Sequence, residues 1–398
     1  MGSKLSTSNE NDVCRSVNKF SNKLFSHLTD GSSNDANIVL SGLSVTTTMA
    51  MLLMGAKGET AIEIQECFNF TGNEETLKSG FKKLTEQLMN NNSPAVKLTM
   101  ANRILVERRT NLLQSFAKKI SGSFQGDVVR LQEDVSEAAK SVNDWIRQKT
   151  EGAIPEIVSA QDLDQVVIVL ISALHLKADW ATQFESHLTK TDKFYLTGYY
   201  DGPTVSTKMM NLYKKKFRSK KVNSIGATAL EMPYRGDEMS AVFILPFKND
   251  GFKKTEEKLG KVDLKDSFNF NEAAMEFKHV AIPKLKLRAT FSLKEPLQAL
   301  GIGKAFDSES ADFAGMSETS DSLFVSLALQ KVFVEMDEQG TTATAAVFTG
   351  LQSLGLSSSR VEPKVFICDR PFFFFIRDNK TGVVLFIGRI VRPVSSKL

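Results

Sequence analysis

Four histidines, His27, His175, His187 and His279, and three cysteines, Cys14, Cys67 and Cys368, supply all the imidazole and thiol chemistry in this chain of 398 residues. The cysteines are far apart and odd in number, and no two histidines lie within four residues of each other. Neither a CxxC zinc or redox site nor a disulfide framework is indicated. There is no GxSxG elbow to present a nucleophilic serine to a histidine. The expectation is a protein that is not an enzyme and holds no metal or cofactor. Cys67 and Cys368 read as buried small apolar residues and Cys14 as an exposed thiol.

Charge is nearly balanced, 50 Lys+Arg against 46 Asp+Glu, which does not name nucleic acid as a partner. One local excess, Lys214, Lys215, Lys216, Arg218, Lys220 and Lys221, reads first as a solvated strand edge guarded by lysines. Its second reading is a polyanion site of the glycosaminoglycan type. The longest apolar run, Val166 to Ile171, is too short to span a bilayer. The first dozen residues hold no apolar run like that of a cleavable secretory leader, and the compartment stays open.

Residue patterning places the elements. An apolar stripe predicts a helix over Val13 to Leu28, with residues 1–12 a flexible leader and 394–398 a tail. Further helices are predicted near Ser44 to Leu53, Glu74 to Met89 and Val135 to Thr150, the last with Asp134 and Glu137 as its start signal. Val166 to Leu176 reads as a strand covered on both faces. Segments 227–232, 239–246, 275–282, 285–293 and 327–334 also read as strands, and 372–376 with 383–390 as a hairpin. Helices mostly first and strands mostly later argue an α+β fold. No linker divides the span 13–393.

One stretch does not fit. Gly340 to Arg360, GTTATAAVFTGLQSLGLSSSR, is small and hydroxylated, without charge before its last residue. A loop this long inside a compact domain is usually functional or disordered. Its Thr, Ala and Val content and lack of proline suit a strand equally well.

With its flanks, this loop resembles the serpin family of protease inhibitors. Eight motifs in the family's order carry the resemblance over about residues 13 to 393. They are NIVLSGLSVTTTMAMLLMGAKGET from Asn37, ISALHLKADWATQF from Ile171, KMMN from Lys208 and LEMPYRG from Leu230, then IPKLKL, LGIGKAFDSESADFAGMS, VEMDEQGTTATAA and PFFFFIRDNKTGVVLFIGRI. The resemblance implies a large central sheet, further smaller sheets, about eight or nine helices, and an exposed reactive loop over about 340–364. It also implies a suicide-substrate mechanism. A serine protease attacks the loop, forms a covalent acyl complex, and is carried along as the cleaved loop inserts into the sheet. Strand addition of this kind is an established mode of recognition.

Two tests bear on that expectation. The hinge must enter a sheet, and Gly340, Thr341, Thr342, Ala343, Thr344, Ala345 and Ala346 are all small and uncharged. A non-inhibitory serpin, acting as a carrier, chaperone or binding protein, would show charge or proline here. The scissile bond in the family usually follows the residue fourteen positions beyond the hinge glycine, which is Leu354, with Gly355 on the leaving side. That span is about 46 Å of extended chain. Leu354 implies chymotrypsin-like or elastase-like targets. The loop is longer than is usual, so Leu351, Leu356 and Arg360 are alternatives. Ser41, Ser44, Ser172 and Gln330 match a polar cluster that governs sheet opening, and Trp180 matches a tryptophan at the top of that sheet. Ser172 and Gln330 stand where the family commonly has Asn and His, and Gly42 where a proline is expected. The protein is expected to be a monomer, with a risk of loop-sheet polymers on heating, since a loop able to join its own sheet can join a neighbour's.

Overall fold

The computed structural model describes residues 2–31, 36–318, 322–341 and 364–393. Among them the helices are α1 (Gly2–Asp30), α2 (Gly42–Leu53), α3 (Gly58–Phe68), α4 (Glu74–Asn90), α5 (Gln114–Ser123), α6 (Val135–Lys149), α7 (Phe252–Leu259), α8 (Leu264–Ser267) and α9 (Lys294–Ala299). The strands are β1 (Ile38–Leu40), β2 (Val96–Val106), β3 (Asp127–Arg130), β4 (Ile168–Asp179), β5 (Lys190–Tyr195), β6 (Thr204–Val222), β7 (Ala227–Pro233) and β8 (Met239–Pro246). They continue as β9 (Met275–Pro283), β10 (Leu285–Ser292), β11 (Val325–Met336), β12 (Gly340–Thr341), β13 (Lys364–Ile367), β14 (Phe372–Asp378) and β15 (Val384–Ile390).

The strands form two sheets. One has six strands in the order β10-β11-β12-β4-β2-β3. The other has nine, running β1-β15-β14-β8-β7-β6-β9-β13 with β5 on β6. The smaller sheets expected beside the large one are joined because β6 serves both. Its first part pairs with β5 and β9, and Arg218–Val222 with β7. α2 is buried along its whole length. It packs between the sheets against β2, β4 and β15. Its polar residues survive there because Thr47 and Thr48 donate their hydroxyls to the carbonyls one turn back, Leu43 and Ser44. A second apolar cluster, Val142 and Ile146 of α6 with Leu105, Ile171 and Leu329, covers the outer face of the six-stranded sheet.

Local chemistry accounts for some boundaries. Asp134 caps α6 by accepting from the Ser136 and Glu137 amides, as its start signal predicts. The first helix differs from expectation, since it begins at Gly2 and not at Val13. The end of the expected flexible leader is anchored. Asn9 donates to Ser79 on α4, and Glu10 is buried in an ion pair with Lys83 at 2.8 Å. Cys14, expected to be exposed, is buried, and burial with Glu10 nearby pushes its thiol up to about 12. Gly42 has a steric reason to lack a side chain. A Cβ there would lie 1.9 Å from Ser21 Oγ and 2.7 Å from Ser21 Cα on α1.

Candidate functional site

The six-stranded sheet is forked. β11 and β4 pair directly, in parallel, from Val325/Ile168 to Phe333/His175. Beyond that pair they part, and β12 lies between them, Thr341 opposite both Met336 of β11 and Ala178 of β4. The chain reaches β12 by a tight turn, in which the Asp337 amide donates to the Gly340 carbonyl at 2.7 Å. Asp337 Oδ1 accepts from the amides of Gln339 and Gly340. The first two hinge residues are therefore already strands of the sheet. Thr342 to Ala346 and the candidate bait residues Leu351, Leu354, Gly355, Leu356 and Arg360 lie outside the described residues.

Gly340 is required by packing. A Cβ on it would stand 1.9 Å from the Ala178 carbonyl oxygen and 2.5 Å from Asp179 Cα. Thr341 is fully buried, and its hydroxyl shares a 2.8 Å hydrogen bond with the Tyr234 hydroxyl. Tyr234 stacks on Trp180 with ring centroids 4.5 Å apart. Trp180 in turn donates its indole N–H to the Asp337 carbonyl and its amide to the Gln339 carbonyl. Trp180 thus sits beside the fork where β12 enters it, holding the turn. Beside it, Glu338 accepts from Lys284 at 2.7 Å and Thr189 at 2.8 Å. Burial opposes ionisation of Glu338, but these hydrogen bonds outweigh it and hold its pKa below the ordinary value.

Lower down, Ser41, Ser44, Ser172 and Gln330 meet as one cluster. Gln330 Nε2 donates to the Ser41 carbonyl at 2.7 Å and to Ser44 Oγ at 2.9 Å, and its Oε1 accepts from the Ser41 amide. Ser172 Oγ is 2.8 Å from Ser44 Oγ. Gln330 and Ser172 are opposite one another in the β11–β4 register, yet both side chains reach across to α2. The cluster therefore ties each side of the opening strand pair to the same helix. Gln330→Ala is expected to cost about 1–3 kcal/mol, because Ser41 and Ser44 lose buried partners. A lowered thermal midpoint would register this, and an unchanged one would show that the cluster does not need Gln330.

Four participants lay hidden in the sequence. Tyr234 falls inside a recognised motif, but only the three-dimensional path of β12 gives its hydroxyl a partner. Glu338 and Lys284 are 54 positions apart and carry no spacing signal. Asn102 lies opposite Ser172 on β2, buried, with an Oδ1 that has no hydrogen-bond partner among the described residues.

The basic run lies where β6 is paired on one side only, with β9 at Lys215–Phe217 and with β7 at Arg218–Val222, so its residues do stand on a strand edge. Its lysines are interspersed with buried Phe217, Ser219 and Val222. Arg218 is committed to Glu231 at 2.6 Å, and Lys220 donates to the Asn269 carbonyl. Lys214, Lys215, Lys216 and Lys221 remain as the cationic stretch. No helix among the described residues is long and apolar enough to cross a membrane.

Comparison with known proteins agrees with this geometry. A family model described as Serpin (serine protease inhibitor) matches residues 15–393. Human Serpin B8 is 33% identical over 387 residues, covering 96% of this chain and 100% of that protein. Human leukocyte elastase inhibitor is 33% identical over 364 residues, covering 90% and 93%. Among solved structures, Serpin48 of Tenebrio molitor aligns with a TM-score of 0.84 at 27% identity, covering 96% and 98% of the two chains. Human thyroxine-binding globulin, solved with its hormone, aligns at 0.83 and 25%, covering 97% and 100%. The forked sheet, the hinge already seated in it and a family match over nearly the whole length lead to one conclusion: the chain belongs to the serpin family.

Proposed function

We propose that the protein is an irreversible suicide-substrate inhibitor of serine proteases with apolar primary pockets, cleaved after Leu354 and acting by insertion of the loop into the six-stranded sheet. The observation that carries this reading is the register around the fork. The offset between β11 and β4 at Phe333/His175 is the same as that between their two partners of Thr341, Met336 and Ala178. A strand continuing β12 between them requires the pair to separate sideways, with no slip along their axes. Sliding would break every ladder bond twice and turn side chains to the wrong face.

Side-chain alternation supports the same path. A strand continued from Thr341 would turn Ala343, Ala345 and Val347 toward the core between the sheets, where Ala178, Leu176, Leu174 and Met336, Val334, Val332 already lie. Phe348 would fall on the other face, opposite Ile171 and Leu329 in the apolar cluster under α6. Ala343 and Ala345 would meet apolar neighbours, while Val347 would come opposite Ser172 and Gln330 of the polar cluster. The fold alone does not separate inhibitors from carriers, since a hormone-binding globulin shares it. The uncharged, proline-free hinge favours inhibition, and so does the resemblance to an elastase inhibitor.

Incubation with chymotrypsin and with elastase is expected to give a covalent complex that survives boiling in SDS. The released C-terminal fragment should begin at Gly355. Clean cleavage with no complex would overturn the inhibitory reading.

A further inference from the structure

We propose that the stacked pair Phe333–His175 is the latch of the fork, and that His175 is a positioning residue that sets how readily the sheet admits a strand. This rests on the insertion reading above. Phe333/His175 is the last directly paired row before β12, so an entering strand must part it before any other. The two rings stack with centroids 5.9 Å apart and planes 17° from parallel. Both are buried, at 4% and 5% exposure. On the far side, β10 brings the Arg288 guanidinium to 5.0 Å and the Lys286 amine to 5.9 Å from the Phe333 ring centroid. The stack lies on the α6 face of the strand pair, opposite the serine–glutamine cluster, which contains no titratable group.

His175 Nε2 is buried and has no hydrogen-bond partner among the described residues. A neutral ring tolerates that position. A protonated one would join Arg288 in its own row, with Lys97, Lys177 and Lys286 in the row two residues along. The nearby carboxylates are engaged elsewhere, Glu151 with Lys97 and Glu335 with Lys286. Burial is the main reason the His175 pKa is pushed down to about 4. Parting the strands exposes the ring to water and returns it toward an ordinary value near 6.5. The closed fork therefore binds fewer protons than the open one. Its advantage is intact above about pH 6.5 and is lost as pH falls toward 4.

The test is uptake of a synthetic peptide with the sequence of residues 341–354 by the full-length protein, followed at pH 8 and pH 5. Wild type is expected to take it up roughly tenfold faster at pH 5. His175→Phe keeps the ring stack, and its two rates should agree within about twofold while its thermal midpoint at pH 8 does not fall. His175→Gln should likewise lose the pH dependence but enter faster at pH 8, having no ring to stack. Phe333→Leu, which keeps the apolar bulk, should also raise the pH 8 rate. Asp337, whose pKa burial raises, is common to every variant, so the difference between proteins isolates His175. An unchanged pH ratio in His175→Phe, or an unchanged pH 8 rate in Phe333→Leu, would overturn the latch. Failure of wild type to take up peptide at any pH would overturn the insertion reading and the latch with it.

Discussion

Thr341→Arg is expected to leave a protein that chymotrypsin cleaves at an ordinary rate but that no longer traps it, with the yield of SDS-stable complex falling about 100-fold. Thr341 is wholly buried between β11 and β4, and its hydroxyl is spent on Tyr234. A guanidinium there must either bury an unpaired charge or pull the hinge out of the fork. The former costs several kcal/mol, and each 1.4 kcal/mol is a factor of ten in partition between insertion and hydrolysis of the acyl link. The loop beyond remains a substrate, so cleavage itself should persist. Thr341→Ser, which keeps the hydroxyl, should inhibit as wild type does. If the arginine variant still forms complex in near-stoichiometric yield, the hinge does not enter the sheet where β12 lies. Gly340→Ala should weaken trapping by the same route, because its Cβ has no room beside the Ala178 carbonyl.

How much of this could be read from the residues depends on how local each cause is. The α6 cap at Asp134 and the strands ending in Pro233, Pro246 and Ile390 follow from patterns a few residues long, and they fall close to their predicted positions. Of the seven small uncharged residues expected to form the hinge, Gly340 and Thr341 lie in β12, and the other five lie outside the described residues. The fork is not local. It consists of a register between strands about 158 positions apart, which no local pattern encodes. The leader departs from expectation because the partners of Asn9 and Glu10, Ser79 and Lys83 of α4, are distant in sequence, and Cys14 because it is buried near Lys265, Asp378 and Thr381, more distant still. The basic run is legible as an edge because lysine content is a local signal, and its residues pair with β9 or with β7 on one side only. His175 carries no spacing signal, and its place in the last directly paired row depends on the same distant register.

The second large effect concerns the bait residue, and the length of the slot sets Leu354 apart from Leu351 and Arg360. Each step of the loop beyond Thr341 moves its β4 partner back by one residue, so residue 351 comes opposite Ile168, the first residue of β4. On the other side, residue 352 comes opposite Val325, where β11 begins. Cleavage after Leu354 leaves the acyl link just past a completely filled slot. Cleavage after Leu351 would hold the link inside the last row, where a protease would block closure. Cleavage after Arg360 would leave eight or more residues of slack, on the order of 27 Å, enough to let a protease keep its shape. Leu354→Arg is therefore expected to lower the rate of chymotrypsin inhibition by at least about 100-fold and to create trapping of trypsin, since an apolar primary pocket rejects the buried charge and an acidic one accepts it. Trypsin should cut the wild-type loop at Arg360 without being held. Complex formation and the amino terminus of the released fragment separate the cases. A stable wild-type trypsin complex whose fragment begins at Val361 would place the bait at Arg360 and show that slack is no barrier to trapping.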